Sequence, residues 1–167
     1  MKFLEKDLEE ILWEQFKTQK GRDVLASKGL WTEDGAPNPK FKRQLNIGKY
    51  GRADVVSFSK SGGSLFINVY ELKKDKISMS AFLQAVGYCK GIQRYIKKHR
   101  KSNLRLEFNV ILIGKTIDIS SEFSYLPDFI NGFGFNLHHF TYNYNVDGIS
   151  FNYQSEYALR EEGFTND

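Results

Sequence analysis

Two runs rich in β-branched and aromatic residues follow one another with only a turn between them, and this pairing limits the possible folds more than any other feature. Residues 51 to 59 run Gly51, Arg52, Ala53, Asp54, Val55, Val56, Ser57, Phe58, Ser59. Residues 60 to 64 place Gly62 and Gly63 between serines, and residues 65 to 73 run Leu65, Phe66, Ile67, Asn68, Val69, Tyr70, Glu71, Leu72, Lys73. Strand formers on both sides of a glycine turn predict an antiparallel hairpin. Strand side chains alternate, so Leu65, Ile67, Val69, Glu71 and Lys73 share one face and Phe66, Asn68, Tyr70 and Leu72 the other. A solvated face carries polar groups along its whole length. Here two charges close an apolar row, and burying either one unpaired is costly, so that end predicts a bound cation or a water-filled cleft.

The residue types fit a hard divalent cation. Mg²⁺ takes oxygen ligands, keeps several waters and needs only one or two carboxylates when a substrate phosphate completes its shell. Asp54 and Glu71 are the candidate metal carboxylates, with the backbone carbonyl of Leu72 as a further candidate ligand. Mg²⁺, or Mn²⁺ in its place, supplies an activated water and stabilises charge on phosphate oxygens. Lys73, on the face of Glu71, suits the orientation of that water or the neutralisation of the transition state as a point charge.

The next segment, from residue 77 to about residue 98, has no proline and repeats apolar residues at helical spacing through Phe82, Val86, Cys89, Ile92 and Ile96. Gln84 and Tyr88 are four apart and meet on one face of this helix, with Gly91 and Tyr95 continuing the stripe. Taken alone, that pair reads more simply as the border of an amphipathic core face. An earlier helix is predicted from residue 3 to residue 17. Leu4, Leu8, Ile11 and Leu12 form its apolar stripe, and its several acids suit the positive end of the helix dipole.

In order, Asp54, Glu71-Leu72-Lys73 and Gln84 through Tyr88 resemble the acid, the E-x-K and the Q-x-x-x-Y of the PD-(D/E)XK nuclease superfamily, particularly its RecB-like and NucS-like branches. The resemblance covers about residues 3 to 115, with Ala53 standing where the superfamily name has proline. It implies a restriction-endonuclease-like α/β core. It also implies a catalytic set of Asp54, Glu71, Lys73 and Gln84, completed by a glutamate from the opening helix. Glu9 is the choice for that glutamate and Glu5 the reserve. The implied activity is metal-dependent hydrolysis of DNA phosphodiesters, with RNA not excluded.

Charge is consistent with that class without dictating it. The 167 residues carry a net charge of +4. Lys40, Lys42, Arg43, Lys49 and Arg52 gather ahead of Asp54, where Lys42, Arg43, Lys49 and Arg52 are placed to hold a phosphate backbone without reading sequence. Tyr88 is a further candidate nucleic-acid contact. The basic run from Arg94 to Lys101 has a plainer reading as a complement to the helix C-terminus. A lone Cys89 at an apolar helical position excludes an internal disulfide and reads as an inert core thiol; with no apolar span or signal-peptide core, the expected location is the cytoplasm.

Residues 20 to 39 are punctuated by glycine and proline and read mostly as loop, with Trp31 either covering the core or stacking on a base. Residues 104 to 113 read as a buried strand, about 121 to 130 as a short helix, and 134 to 153 as a hairpin turning at Asp147-Gly148. His138 and His139 are adjacent and point to opposite strand faces, a poor chelating pair. The expected architecture is one α/β domain with a mixed sheet of four or five strands flanked by helices, extended after residue 115. A non-catalytic module binding nucleic acid or protein on the same fold is the alternative function. The Asn- and Tyr-rich tail is a candidate homodimer surface.

Overall fold

Alternation in the chain becomes a six-stranded sheet with a hydrophobic core on each face. The structure, a computed structural model, describes residues 5–31, 38–99, 103–118 and 135–154. Helix α1 (Glu5–Phe16) and helix α2 (Gln19–Ser27) come first. They are followed by β1 (Lys40–Asn46), a single 3₁₀ turn (Gly48–Tyr50), β2 (Arg52–Ser61), β3 (Ser64–Leu72) and the two-residue β4 (Lys76–Ile77). Helix α3 (Met79–His99) then leads to β5 (Arg105–Gly114), the short β6 (Thr116–Ile117), β7 (Phe135–Asn145) and β8 (Gly148–Gln154).

The sheet order is β1-β2-β3-β5-β7-β8, with β4 and β6 pairing separately. The first three strands are antiparallel, β5 is parallel to both β3 and β7, and β8 returns antiparallel along β7. The sheet is therefore mixed, and α3 is the crossover that parallel β3 and β5 require. Strands β3 and β5, at the centre, are buried almost throughout. Tyr88, Cys89, Ile92 and Ile96 of α3 pack with Val56, Ile67, Val69 and Val110 on one face. Leu8, Leu12 and Phe16 of α1 pack with Val55, Tyr70, Leu72 and Phe140 on the other.

A row of polar side chains crosses this apolar sheet. The Asn68 amide donates to Ser57 Oγ at 3.0 Å, that of Asn109 to Asn68 Oδ1 at 2.6 Å, and that of Asn136 to Asn109 Oδ1 at 2.9 Å. Each pair stands directly opposite in the strand register, so four strands are tied at one level. Buried amides without such partners would be strongly unfavourable.

Several expectations change. The sheet has six strands rather than four or five, because β1 was not anticipated as a strand. Its residues alternate between exposed and half-buried, and Lys40, Lys42, Gln44 and Asn46 on the exposed side carry no apolar signal. Such charged edges are how sheets avoid further pairing. The first helix ends at Phe16, and the segment from residue 20 onward begins as helix, not loop. Thr18 caps α2 by accepting from Gly21 N at 3.0 Å, which offsets the helix tendency lost to Gly21 itself. The tail hairpin forms as expected and extends the main sheet through β5. Trp31 covers the α1-side core, its ring set edge-on to His138 and Phe140. The helix expected at about 121 to 130 lies outside the described residues.

Candidate functional site

The site forms where β1 and β2 both change faces. Phe41 packs toward α1 and Leu45 toward α3, and likewise Val55 faces α1 while Ala53 faces α3. Between Arg43↔Val55 and Leu45↔Ala53 the register sets Gln44 against Asp54. Gln44 has a φ of 49°, a left-handed conformation uncommon for a residue with a side chain. On the other edge of β2, the ladder with β3 ends at Val55↔Tyr70. The Asp54 carboxylate reaches across instead, its Oδ2 accepting from Leu72 N at 2.9 Å. Since a strand residue offers its N–H and C=O to the same neighbour, the Leu72 carbonyl also faces this edge.

Glu71 lies beside that contact and is only 2% exposed. Its Oε1 accepts from Lys73 Nζ at 2.6 Å, while its Oε2 is buried with no hydrogen-bond partner among the described residues. A buried carboxylate oxygen without a donor leaves an unmet need for positive charge. The surroundings sharpen it. Burial pushes Asp54 up to about 6, against the pull of the Leu72 amide and the Lys73 charge. Burial and the Asp54 charge push Glu71 up to about 7, although Lys73 holds it down. Lys73 loses some basicity to burial, yet its bond to Glu71 and the neighbouring acids leave it raised overall. It is therefore a firm cation at neutral pH, a donor and point charge rather than a base.

The first helix contributes acids at the same end of the sheet. Glu5 Oε2 accepts from Lys74 N at 3.2 Å, pinning the backbone that follows Lys73. Glu9 is held from two sides, by Arg43 and by Gln44 Nε2 at 2.8 Å, and the same Gln44 nitrogen lies 3.5 Å from Asp54 Oδ1. On the α3 side, Gln84 donates to the Tyr88 hydroxyl, and the acidity of that hydroxyl is lowered by burial and by the charges of Glu71 and Asp54.

Asp54, Glu71, Lys73, Glu5 and Glu9 thus converge, with the Gln84 and Tyr88 pair at the border. Tyr88 is 1% exposed, so anything it offers a ligand comes through its hydroxyl and Gln84. Lys42, Lys49 and Arg52 are exposed. Arg43 is not free as a phosphate contact: it ion-pairs with Glu9 and, at 2.7 Å, with Glu10, fastening α1 to β1. Two participants had no sequence signal. Gln44 is an unremarkable residue until its left-handed backbone is seen, and Tyr142 of β7 donates to the Lys74 carbonyl from far along the chain.

Among the described residues, no group of three His, Cys, Asp or Glu side chains is arranged to hold an ion by itself. An ion at Asp54 and Glu71 would draw its other ligands from the Leu72 carbonyl, water and substrate, which is how Mg²⁺ is commonly held. The free Glu71 oxygen and the raised acids fit such an ion. Cys89 is buried with its thiol pushed up to about 12, in keeping with an inert core position. No helix among the described residues is long and apolar enough to cross a membrane. Comparison with protein-family profiles, with curated proteins and with solved structures finds no match.

Proposed function

We propose that the protein is a metal-dependent nuclease of the PD-(D/E)XK type, hydrolysing DNA phosphodiesters at the Asp54 and Glu71 pair. The observation that carries this reading is the buried, donorless Glu71 Oε2 beside a second carboxylate whose own pKa is raised. Asp54, Glu71 and the Leu72 carbonyl would hold Mg²⁺ or Mn²⁺, which supplies Lewis acidity to a water and to the phosphate. Lys73, fixed by Glu71, donates to a water or phosphate oxygen and offsets the charge that accumulates as the water oxygen bonds to phosphorus and the bridging bond breaks. Gln44, itself held by Glu9, reaches Asp54, and Gln84 presents its amide at the α3 border. Glu5 and Tyr142 fix the backbone after Lys73, so the ammonium is aimed rather than mobile.

A second reading, a binding module without cleavage, draws on the Lys73 bond to Glu71, because an ion pair also occupies that carboxylate in a site that does no chemistry. One assay separates the two. Purified protein is incubated with linear, single-stranded, branched and mismatched DNA in Mg²⁺, Mn²⁺ or EDTA, beside Glu71→Ala and Lys73→Ala. Cutting that needs the metal and disappears in both variants is the expected result. Binding without cutting under every condition selects the module.

A further inference from the structure

We propose that the Gly48–Tyr50 turn, Arg52 and Arg94 of α3 form a second, non-catalytic phosphate subsite that grips the substrate strand to one side of the phosphate being cut. The proposal rests on the nuclease reading and adds where the strand runs. Tyr50 is its centre. Lys49 Nζ lies 5.5 Å and Arg94 Cζ 5.8 Å from the centroid of the Tyr50 ring, and Arg94 Nη1 also donates to the Tyr50 hydroxyl. Cations at these distances are attracted by the ring's π face. Arg52 follows immediately and is exposed, as are Lys49 and Arg94.

Among the described residues, no carboxylate is paired with any of these three charges. Residues 38 to 53 contain no acid, and α3 contains none from end to end while carrying Lys90, Arg94, Lys97 and Lys98. A structural role for Arg94, fastening the turn to the helix, requires one cation. It does not explain why Lys49 is held against the same ring.

The turn is built rather than merely exposed. Ile47 N donates to Gly51 O at 2.8 Å, and Gly48 and Gly51 take φ values of 59° and 99° to close it. At Gly91 the helix has no side chain, and a Cβ there would stand 2.4 Å from Ile47 Cγ2 and 2.6 Å from Tyr50 Cδ2. The turn is therefore seated directly on α3. The turn also reaches the border of the site: a Cβ at Gly51 would stand 3.4 Å from Tyr88 Cε1, and the Tyr88 hydroxyl takes the bond from Gln84.

The test is a binding titration of the full chain in EDTA, using fluorescent DNAs of unrelated sequence over about 50 to 200 mM salt. Arg94→Ala and Lys49→Ala are each expected to flatten the plot of log affinity against log salt by about 0.9 on duplex, or about 0.7 on single strands, equally for every sequence. Arg94→Lys should restore most of that slope. Lys60→Ala, at the opposite end of β2 from Asp54, should leave it unchanged. If wild type binds DNA and neither alanine variant alters the slope, the subsite is wrong while the nuclease reading stands. Flattened slopes without any cleavage in Mg²⁺ would keep the subsite and remove the nuclease. Failure of wild type to bind at any salt in EDTA would overturn the subsite, and the nuclease reading would then rest on the cleavage assay alone.

Discussion

Replacing Glu71 with glutamine should make the metal-free protein more stable at alkaline pH, the opposite of the usual effect of disturbing a buried ion pair. The folded protein raises Glu71 from 4.5 to about 7, so it binds that proton more tightly than the unfolded chain. The contribution is fully present below about 4.5 and is lost as pH rises to about 7, a decline of about 3 kcal/mol. Glutamine keeps the shape and cannot ionise. The pull of Lys73 is already contained in the value of about 7, and the glutamine carbonyl can still accept from Lys73, so an advantage of about 3 kcal/mol is expected at pH 8 and none at pH 4.5. The comparison must be between variants, because His139 tilts the wild-type curve the other way. Burial holds its imidazole near 4, so stability rises with pH from about 4 to 6.5. Urea unfolding in EDTA at several pH values measures the difference directly. Parallel pH profiles for wild type and Glu71→Gln, or a variant weaker at pH 8, would refute the assignment of an uncompensated acid.

Three further outcomes follow from the same geometry. Mg²⁺ or Mn²⁺ at about a hundredfold excess over its dissociation constant should add about 2.7 kcal/mol, roughly 5 to 10 °C in the melting midpoint of a chain this size. That gain should be larger at pH 8 than at pH 5.5, since the ion must displace protons from Asp54 and Glu71, and it should vanish in Asp54→Asn; a midpoint indifferent to metal at both pH values rejects the ion. Gly91→Ala should lower stability by about 1 to 3 kcal/mol by forcing the new methyl against Ile47 and Tyr50, and an unchanged melt would mean the turn is not seated there. Asn109→Ala, which removes a partner from both Asn68 and Asn136, should lose more stability than Asn136→Ala at the exposed end of the row, by about 1 to 3 kcal/mol in chemical denaturation. Equal losses would contradict the connected row.

The sequence displayed those parts of the site whose signal is local. The hairpin was legible because Val55 to Phe58 and Leu65 to Tyr70 are strong strand formers around a glycine turn, and helix α3 because its apolar spacing is regular. Glu71 and Lys73 were legible as charges closing an apolar row. What could not be read depends on contacts between distant segments. Arg43 belongs by composition to the basic group, yet Glu9 and Glu10 claim it from thirty-odd residues away. Gln44 matters through a backbone angle that its side chain does not advertise. Strand β1 owes its place to the edge of a sheet already formed, and Tyr142 reaches Lys74 only because β7 lies beside β5.

The amide row through Ser57, Asn68, Asn109 and Asn136 has a consequence for anyone altering the site. A slip of one residue between β2 and β3 would send Glu71 to the opposite side of the sheet, and apolar strands alone resist such slips weakly when both faces are buried. The row is satisfied only in one alignment, and it lies away from the acids. Address and chemistry are therefore written in separate residues: Asp54, Glu71 and Lys73 can be exchanged for inert or differently reactive groups while the strands keep their places. A variant with these side chains exchanged then keeps its strand alignment, and the hairpin is a scaffold on which new side chains can be installed at known positions.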